Sequence, residues 1–151
     1  MPTSKDFPGL AFYASRMVRL WRAEINRRLA VYGLTESRWL TLFHLKKLGG
    51  EATQTELADA VGVKGPTMVK TLDWLEAEQF IERCMLAADR RTKIIRFRKK
   101  ASGKFNEILK VVTCLRQELL VDFEDAEIET SLKVIHTISK KLNNLHNPDF
   151  F

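Results

Sequence analysis

No stretch of this 151-residue sequence stays apolar for the ~18 residues that a membrane-crossing helix requires. The opening MPTSKDFPGLAF also lacks the basic segment and apolar run of a secretory leader, so the expected compartment is the cytoplasm. Only two cysteines occur, Cys84 and Cys114, without CxxC spacing or a nearby histidine; neither a disulfide framework nor a zinc site is suggested, and two buried, reduced thiols are expected. Histidine is equally scarce. His44, His136 and His146 fall on separate helical stretches with no ligand spacing, and GxSxG, HExxH, P-loop and dinucleotide fingerprints are all missing. Catalysis, a cofactor and a metal therefore have no support in the sequence. Glycine and proline are few, while 45% of the residues are hydrophobic, enough to bury a core in one domain and to argue against disorder.

The net charge of +6 is localised. Between positions 82 and 100 lie eight basic residues (Arg83, Arg90, Arg91, Lys93, Arg96, Arg98, Lys99, Lys100) against Glu82 and Asp89, which accounts for the whole excess. A basic surplus focused on one short segment favours a polyanionic partner over a generally adhesive surface.

Taken in order, the chain begins with an amphipathic helix over about 10–32, its apolar face marked by Tyr13, Met17, Leu20, Trp21, Ile25 and Leu29. Gly33 fits its end, and Thr35 fits the N-cap of a helix carrying Trp39, Leu42, Phe43 and Leu45 that stops near Gly49 and Gly50. Thr53 to Glu56 then read as a capping box, after which Leu57, Ala60 and Val61 face inward, and Gly62 supplies the left-handed residue that ends this short helix. Pro66 suits the first turn of the next.

On that next helix, steps of about 100° per residue place Met68, Val69, Leu72 and Leu75 on one side and Thr67, Lys70, Thr71 and Trp74 on the other. The second stripe, small and polar at its N-terminal end with one cation, suits entry into a DNA major groove. An ordinary solvated face would look similar; the turn before it and the basic segment after it favour DNA. Trp74 has no evident role on that stripe; packing on a neighbouring segment is its alternative. Residues 82–86 and 92–98 read as strands, with 87–91 as the loop. Arg90 and Arg91 at that tip suit a narrow minor groove, with Asp89 holding a neighbouring Arg or a backbone N–H.

Two further apolar-striped helices follow, one over about 101–123 with Phe105, Ile108, Val112, Leu115 and Leu119, the other with Ile128, Leu132, Ile135, Ile138, Leu142 and Leu145. Together with the first helix they offer more apolar face than a small winged helix can cover, which implies a homodimer, against the alternative that they cover one another within a monomer. The expected fold is mainly α with a small β-hairpin wing: a winged helix-turn-helix over 35–100, its wing about 82–98, between dimerisation helices at 1–34 and 101–151.

RLWRAEINRRLAVYGLTESRWLTL, TELADAVGVKGPTMVKTLDWLE and ADRRTK occur here in the order found in the MarR family of transcription regulators, which the chain resembles from about 10 to 145; more narrowly it resembles the SlyA branch. The resemblance implies a bacterial, homodimeric regulator that binds double-stranded DNA at a pseudo-palindrome. It places Pro66, Thr67 and Lys70 at the DNA, with Arg91 as the wing arginine in the minor groove and Asp89 as its acidic companion; Lys64, Thr71, Arg90 and Lys93, on the same helix and hairpin, complete the candidate DNA-binding set. Lys70 stands where the branch generally has Arg, and is a point donor without the planar fork needed for a bidentate guanine contact. Many relatives bind aromatic carboxylates such as salicylate, and the matching positions here are Arg19, Arg22, Trp39, Phe43 and Thr71, with Phe43 in place of a common His. The competing reading has Trp39 in the core and the arginines solvated or paired. The other functional alternative is a winged-helix protein-interaction module without specific DNA readout.

Overall fold

The computed structural model of the chain describes residues 8–86 and 89–146, with the side chains of Pro8, Leu86 and Arg90 left aside. Helix α1 spans Pro8–Leu29 and ends in a 3-10 turn, Ala30–Tyr32, closed by Gly33 at φ 67°. Helix α2, Glu36–Lys47, starts on Thr35, whose hydroxyl accepts the Arg38 N–H at 3.4 Å, while Asn26 of α1 accepts the free Glu36 N–H at 2.7 Å. Both expected end signals are therefore in place. In the last turns of α1, Glu24 takes Arg27 at 2.7 Å and Arg28 at 2.7 Å, and these two hydrogen bonds lower its carboxyl pKa to about 2.

Strand β1, Glu51–Thr53, leads directly into helix α3, Gln54–Val61. The capping box is complete: the Glu56 N–H donates to the Thr53 hydroxyl at 3.2 Å, and the Thr53 N–H donates to the Glu56 carboxylate at 2.7 Å. Gly62 sits at φ 77° and ends the helix as expected. Leu57 and Ala58 are the buried residues, whereas Ala60 is exposed and Val61 half-buried. Leu57 is thus inward as expected, but Ala58 takes the place expected for Ala60, because α3 packs against both α2 and α4 and turns the 57–58 side between them.

Helix α4, Gly65–Ala77, carries Pro66 in its first turn and is capped beyond Glu78 by Gln79, which adopts φ 64° and lets the Phe80 N–H reach back to the Leu75 carbonyl at 2.9 Å. Strands β2, Ile81–Leu86, and β3, Asp89–Phe97, form an antiparallel pair, with β1 on the far side of β3, so the sheet order is β1-β3-β2. Strand β1 has no counterpart among the elements expected from the sequence. It is only three residues long, and its strand character comes from pairing Glu51, Ala52 and Thr53 with Arg96, Ile95 and Ile94, more than forty residues away.

The sheet has two unlike faces. Ile81, Ala52, Ile95 and Phe97 point into the core, while Glu51, Glu82, Cys84 and Arg96 lie on the outer face, where Arg96 donates to Glu51 at 2.5 Å and to the Cys84 Sγ at 3.5 Å. Cys84 is consequently half-exposed and Cys114 exposed; neither is the buried thiol expected. Helix α5, Ser102–Leu120, sends Phe105 and Ile108 into the core, and α6, Asp125–His146, closes the described chain.

The chain divides into two compact units, Met1–Thr113 and Cys114–Phe151. In the first, α1 leaves Leu10, Phe12, Tyr13, Met17 and Leu20 exposed, although Ile25 and Leu29 near its end are buried. In the second, Leu132, Ile135, Ile138, Leu142 and Leu145 of α6 are exposed. Among the described residues no helix is long and apolar enough to cross a membrane.

Candidate nucleic-acid interface

Burial sets the rotation of α4. Met68, Thr71, Leu72 and Leu75 face inward, the i, i+3, i+4, i+7 spacing of a helix seated on a core. Thr71 is 7% exposed and Val69 38%, the reverse of their expected sides. Thr71 therefore does not belong to the DNA-facing set: it is buried on the inner side of α4, although its polarity suggests the outer one. The outward stripe runs through Pro66, Thr67, Val69, Lys70 and Asp73, with Lys64 exposed at the N-cap. This helix start offers free backbone N–H groups and the positive end of the helix dipole, both favourable to phosphate.

The second positive region is the end of the β2–β3 hairpin. Pairing is regular from Ile81↔Phe97 to Met85↔Lys93, then jumps to Leu86↔Asp89, so residues 90–92 bulge from β3. Strand β3 therefore begins at Asp89, three residues before the expected start. Asp89 organises the bulge, accepting the Arg91 N–H at 2.9 Å and the Thr92 hydroxyl at 3.1 Å. Both carboxylate oxygens are used this way, so Asp89 holds the backbone of Arg91 as expected. Arg91 and Lys93 are exposed, and among the described residues neither has a carboxylate partner. Residues 87–88 and the side chain of Arg90 lie outside the described set.

Two groups of residues fix this geometry: Trp74, which packs on neighbouring segments as expected, and an ion-pair cluster that the sequence does not point to. Trp74 is a brace: its ring lies under the Arg38 guanidinium at 4.0 Å, stacks on Phe80 at 6.3 Å, and lies against Gly33, where an added Cβ would come within 3.1 Å. Arg38 also donates to the Gly33 carbonyl at 2.8 Å. The second is a clamp in which Arg83 of β2 donates to Asp73 at 2.7 Å and to Glu76 at 2.8 Å, both on α4. Asp73 and Glu76 are one helical turn apart, a legible spacing, but nothing in the sequence pairs them with a strand residue seven to ten positions on.

The five candidate effector residues are not brought together around one cavity. Arg19 and Arg22 line a concavity of about 480 Å³ along α1 with Ser15, Val18, Ala23 and Asn26. Arg22 is paired with Glu36 at 3.0 Å. Trp39, 4% exposed, is instead a core residue stacked on Phe105 at 5.5 Å and beside Phe43 at 5.6 Å, and Thr71 is buried on α4. Neither lines the concavity. His44 packs edge-on to Phe43, and its burial, then the nearby Lys47, hold its pKa below the usual imidazole value.

A family model described as MarR family matches residues 32–92. The crystal structure of transcriptional regulator PA3341 is similar at TM-score 0.80 and 36% identity, over 89% of this chain and 98% of that one. A crystal structure of MarR is similar at TM-score 0.73 and 27% identity, over 89% of this chain and 98% of that one. The structure of reduced AbfR bound to DNA shares the fold at TM-score 0.75 and 18% identity, over 91% of this chain and 92% of that one.

Proposed function

This chain belongs to the MarR family of transcriptional regulators, and from that premise we propose that it acts in a bacterial cytoplasm as a homodimer reading a pseudo-palindromic DNA site, in the manner of the SlyA-like branch. The observation that carries this reading is the pair of cationic ends on one winged helix: Lys64 and Lys70 at the start of α4, and Arg91 and Lys93 beside the Asp89 bulge. Helix α4 enters the major groove, where Pro66 and Thr67 approach base edges and Lys70 reaches a phosphate or guanine. The wing lays Arg91 into the adjacent minor groove, whose negative potential attracts it. The same fold in the DNA complex of AbfR supports this use of it.

The exposed apolar rows of α1 and α6 support the dimer, since rows of this kind need cover and a second copy supplies a self-complementary one. Two copies then set their α4 helices about 34 Å apart, one turn of DNA. Selection of bound sites from random DNA at physiological salt is expected to return two inverted half-sites centred about 10 base pairs apart. Binding without sequence preference would reject the reading and favour a protein-interaction module.

The concavity on α1 is the seat for a small aromatic carboxylate such as salicylate, with Arg19 and Arg22 as its cations; its volume falls at the lower end of ligand sites. A carboxylate on Arg22 competes with Glu36, which holds the Arg22 Nε, for the same guanidinium; weakening that ion pair loosens a link between α1 and α2 and connects the seat to the winged helix. Titrated salicylate is expected to change tryptophan fluorescence saturably and to lower DNA affinity over the same concentrations. Saturation with unchanged DNA affinity rejects the coupling, because a ligand that binds both states equally shifts neither.

A further inference from the structure

Arg83 occupies an unusual place in the sheet. It lies on the core-facing side of β2, directly opposite Ile95, with Ile81 two residues before it on the same face and Phe97, the partner of Ile81, diagonally across; all three are buried and apolar. Its side chain is 19% exposed, and its guanidinium holds Asp73 and Glu76 of α4 together, while its own backbone N–H donates to Glu76 at 3.3 Å. A planar fork suits this double hold; a lysine ammonium, a point charge, would hold the two carboxylates less rigidly. Asp73 belongs to the exposed stripe that also carries Lys70, so the clamp joins the reading face of α4 to the base of the wing.

The wing transmits whatever happens at that base. Four residue steps along β3, at most about 13 Å, lead from Ile95, the partner of Arg83, to Arg91 in the bulge, so a swing of about 10° at the clamp carries Arg91 through about 2 Å. A minor groove only about 6 Å wide does not tolerate such a displacement.

We propose that Arg83 is a positioning residue for DNA recognition: by holding Asp73 and Glu76 it sets the angle between α4 and the wing, so that Arg91 meets the minor groove while α4 is in the major groove. This rests on the DNA-reading function proposed above. The competing explanation is charge alone, with Arg83 masking two carboxylates that would otherwise repel phosphates.

A double-mutant cycle on the selected DNA site, using the full chain, separates them. If Arg83 positions the wing, Arg83→Gln removes most of the benefit of Arg91, so Arg91→Ala costs about tenfold less affinity in that background than in the wild type. Arg83→Lys keeps part of the dependence on Arg91. Losses that simply multiply overturn the proposal, as does recovery of wild-type affinity when Asp73→Asn and Glu76→Gln are added to Arg83→Gln, since that removes the repulsion without rebuilding the clamp. Thermal unfolding verifies that each variant folds. Should Arg83→Gln fail to fold, Asp73→Asn, a change at an exposed position that removes one arm, replaces it in the cycle with the same two outcomes. A wild type that selects no site overturns the DNA reading itself, whereas a wild type that selects a site with multiplying losses overturns only the clamp.

Discussion

Arg91→Ala is expected to weaken binding to the selected site by roughly ten- to a hundredfold and to lower the slope of log affinity against log salt by about one. Arg91 is exposed beside a bulge that Asp89 fixes through the Arg91 N–H and the Thr92 hydroxyl, so the side chain is presented without a competing carboxylate among the described residues. Removing it leaves the bulge intact, because Asp89 bonds the backbone and not the guanidinium. The lost affinity therefore reports the contact with DNA and not a collapsed wing. Fluorescence anisotropy at several salt concentrations measures both quantities, and an unchanged affinity with an unchanged slope rejects the wing assignment. Asp89→Ala should reproduce part of the loss by a different route, since it frees the backbone that aims Arg91.

Leu72→Ala is the substitution expected to cost most stability, about 2–5 kcal/mol in chemical denaturation, because a fully buried Leu leaves a cavity in addition to its lost transfer energy. Against a total of about 5–15 kcal/mol for a typical domain, that is a large fraction. Val69→Ala, three residues earlier on the same helix, should stay within about 0.5 kcal/mol, since its side chain is turned to solvent. The contrast tests the rotation of α4 directly. If Val69 proves as costly as Leu72, the outward stripe through Lys70 and Asp73 is misassigned. If the order holds, Val69→Ala remains available as a DNA-contact probe that leaves the fold alone.

The rotation of α4 is set by packing and not by its sequence pattern alone. The apolar residues Met68, Val69, Leu72 and Leu75 and the polar Thr67, Lys70 and Thr71 define two sides of a helix, yet they leave the boundary between the sides open by one residue each way. Polarity alone places the valine inward and the threonine outward. Packing decided otherwise: α4 has α2, α3 and β2 as neighbours, and that arrangement turns Thr71 in and Val69 out. The same reason displaced Ala60 in favour of Ala58, and put Trp39 into the core against Phe105 and away from the α1 concavity. Trp74, without a role on a one-dimensional stripe, acquires one only when Gly33, Arg38 and Phe80 are brought around it.

By itself the sequence determined what rests on interactions spanning three or four residues. The Thr35 cap, the Thr53 and Glu56 capping box, the left-handed Gly33 and Gly62, the place of Pro66 and the basic hairpin with its Asp89 turn are all local, and all hold in the structure. The motif order was also sufficient to identify the family. Tertiary structure alone decided which face of each helix is covered, that β1 exists, which cavity the α1 arginines line, and that Arg83 spans from strand to helix. These depend on contacts between elements distant along the chain, Glu51 with Arg96 or Trp39 with Phe105, and such contacts are selected by how well three-dimensional surfaces fit, which no local pattern encodes.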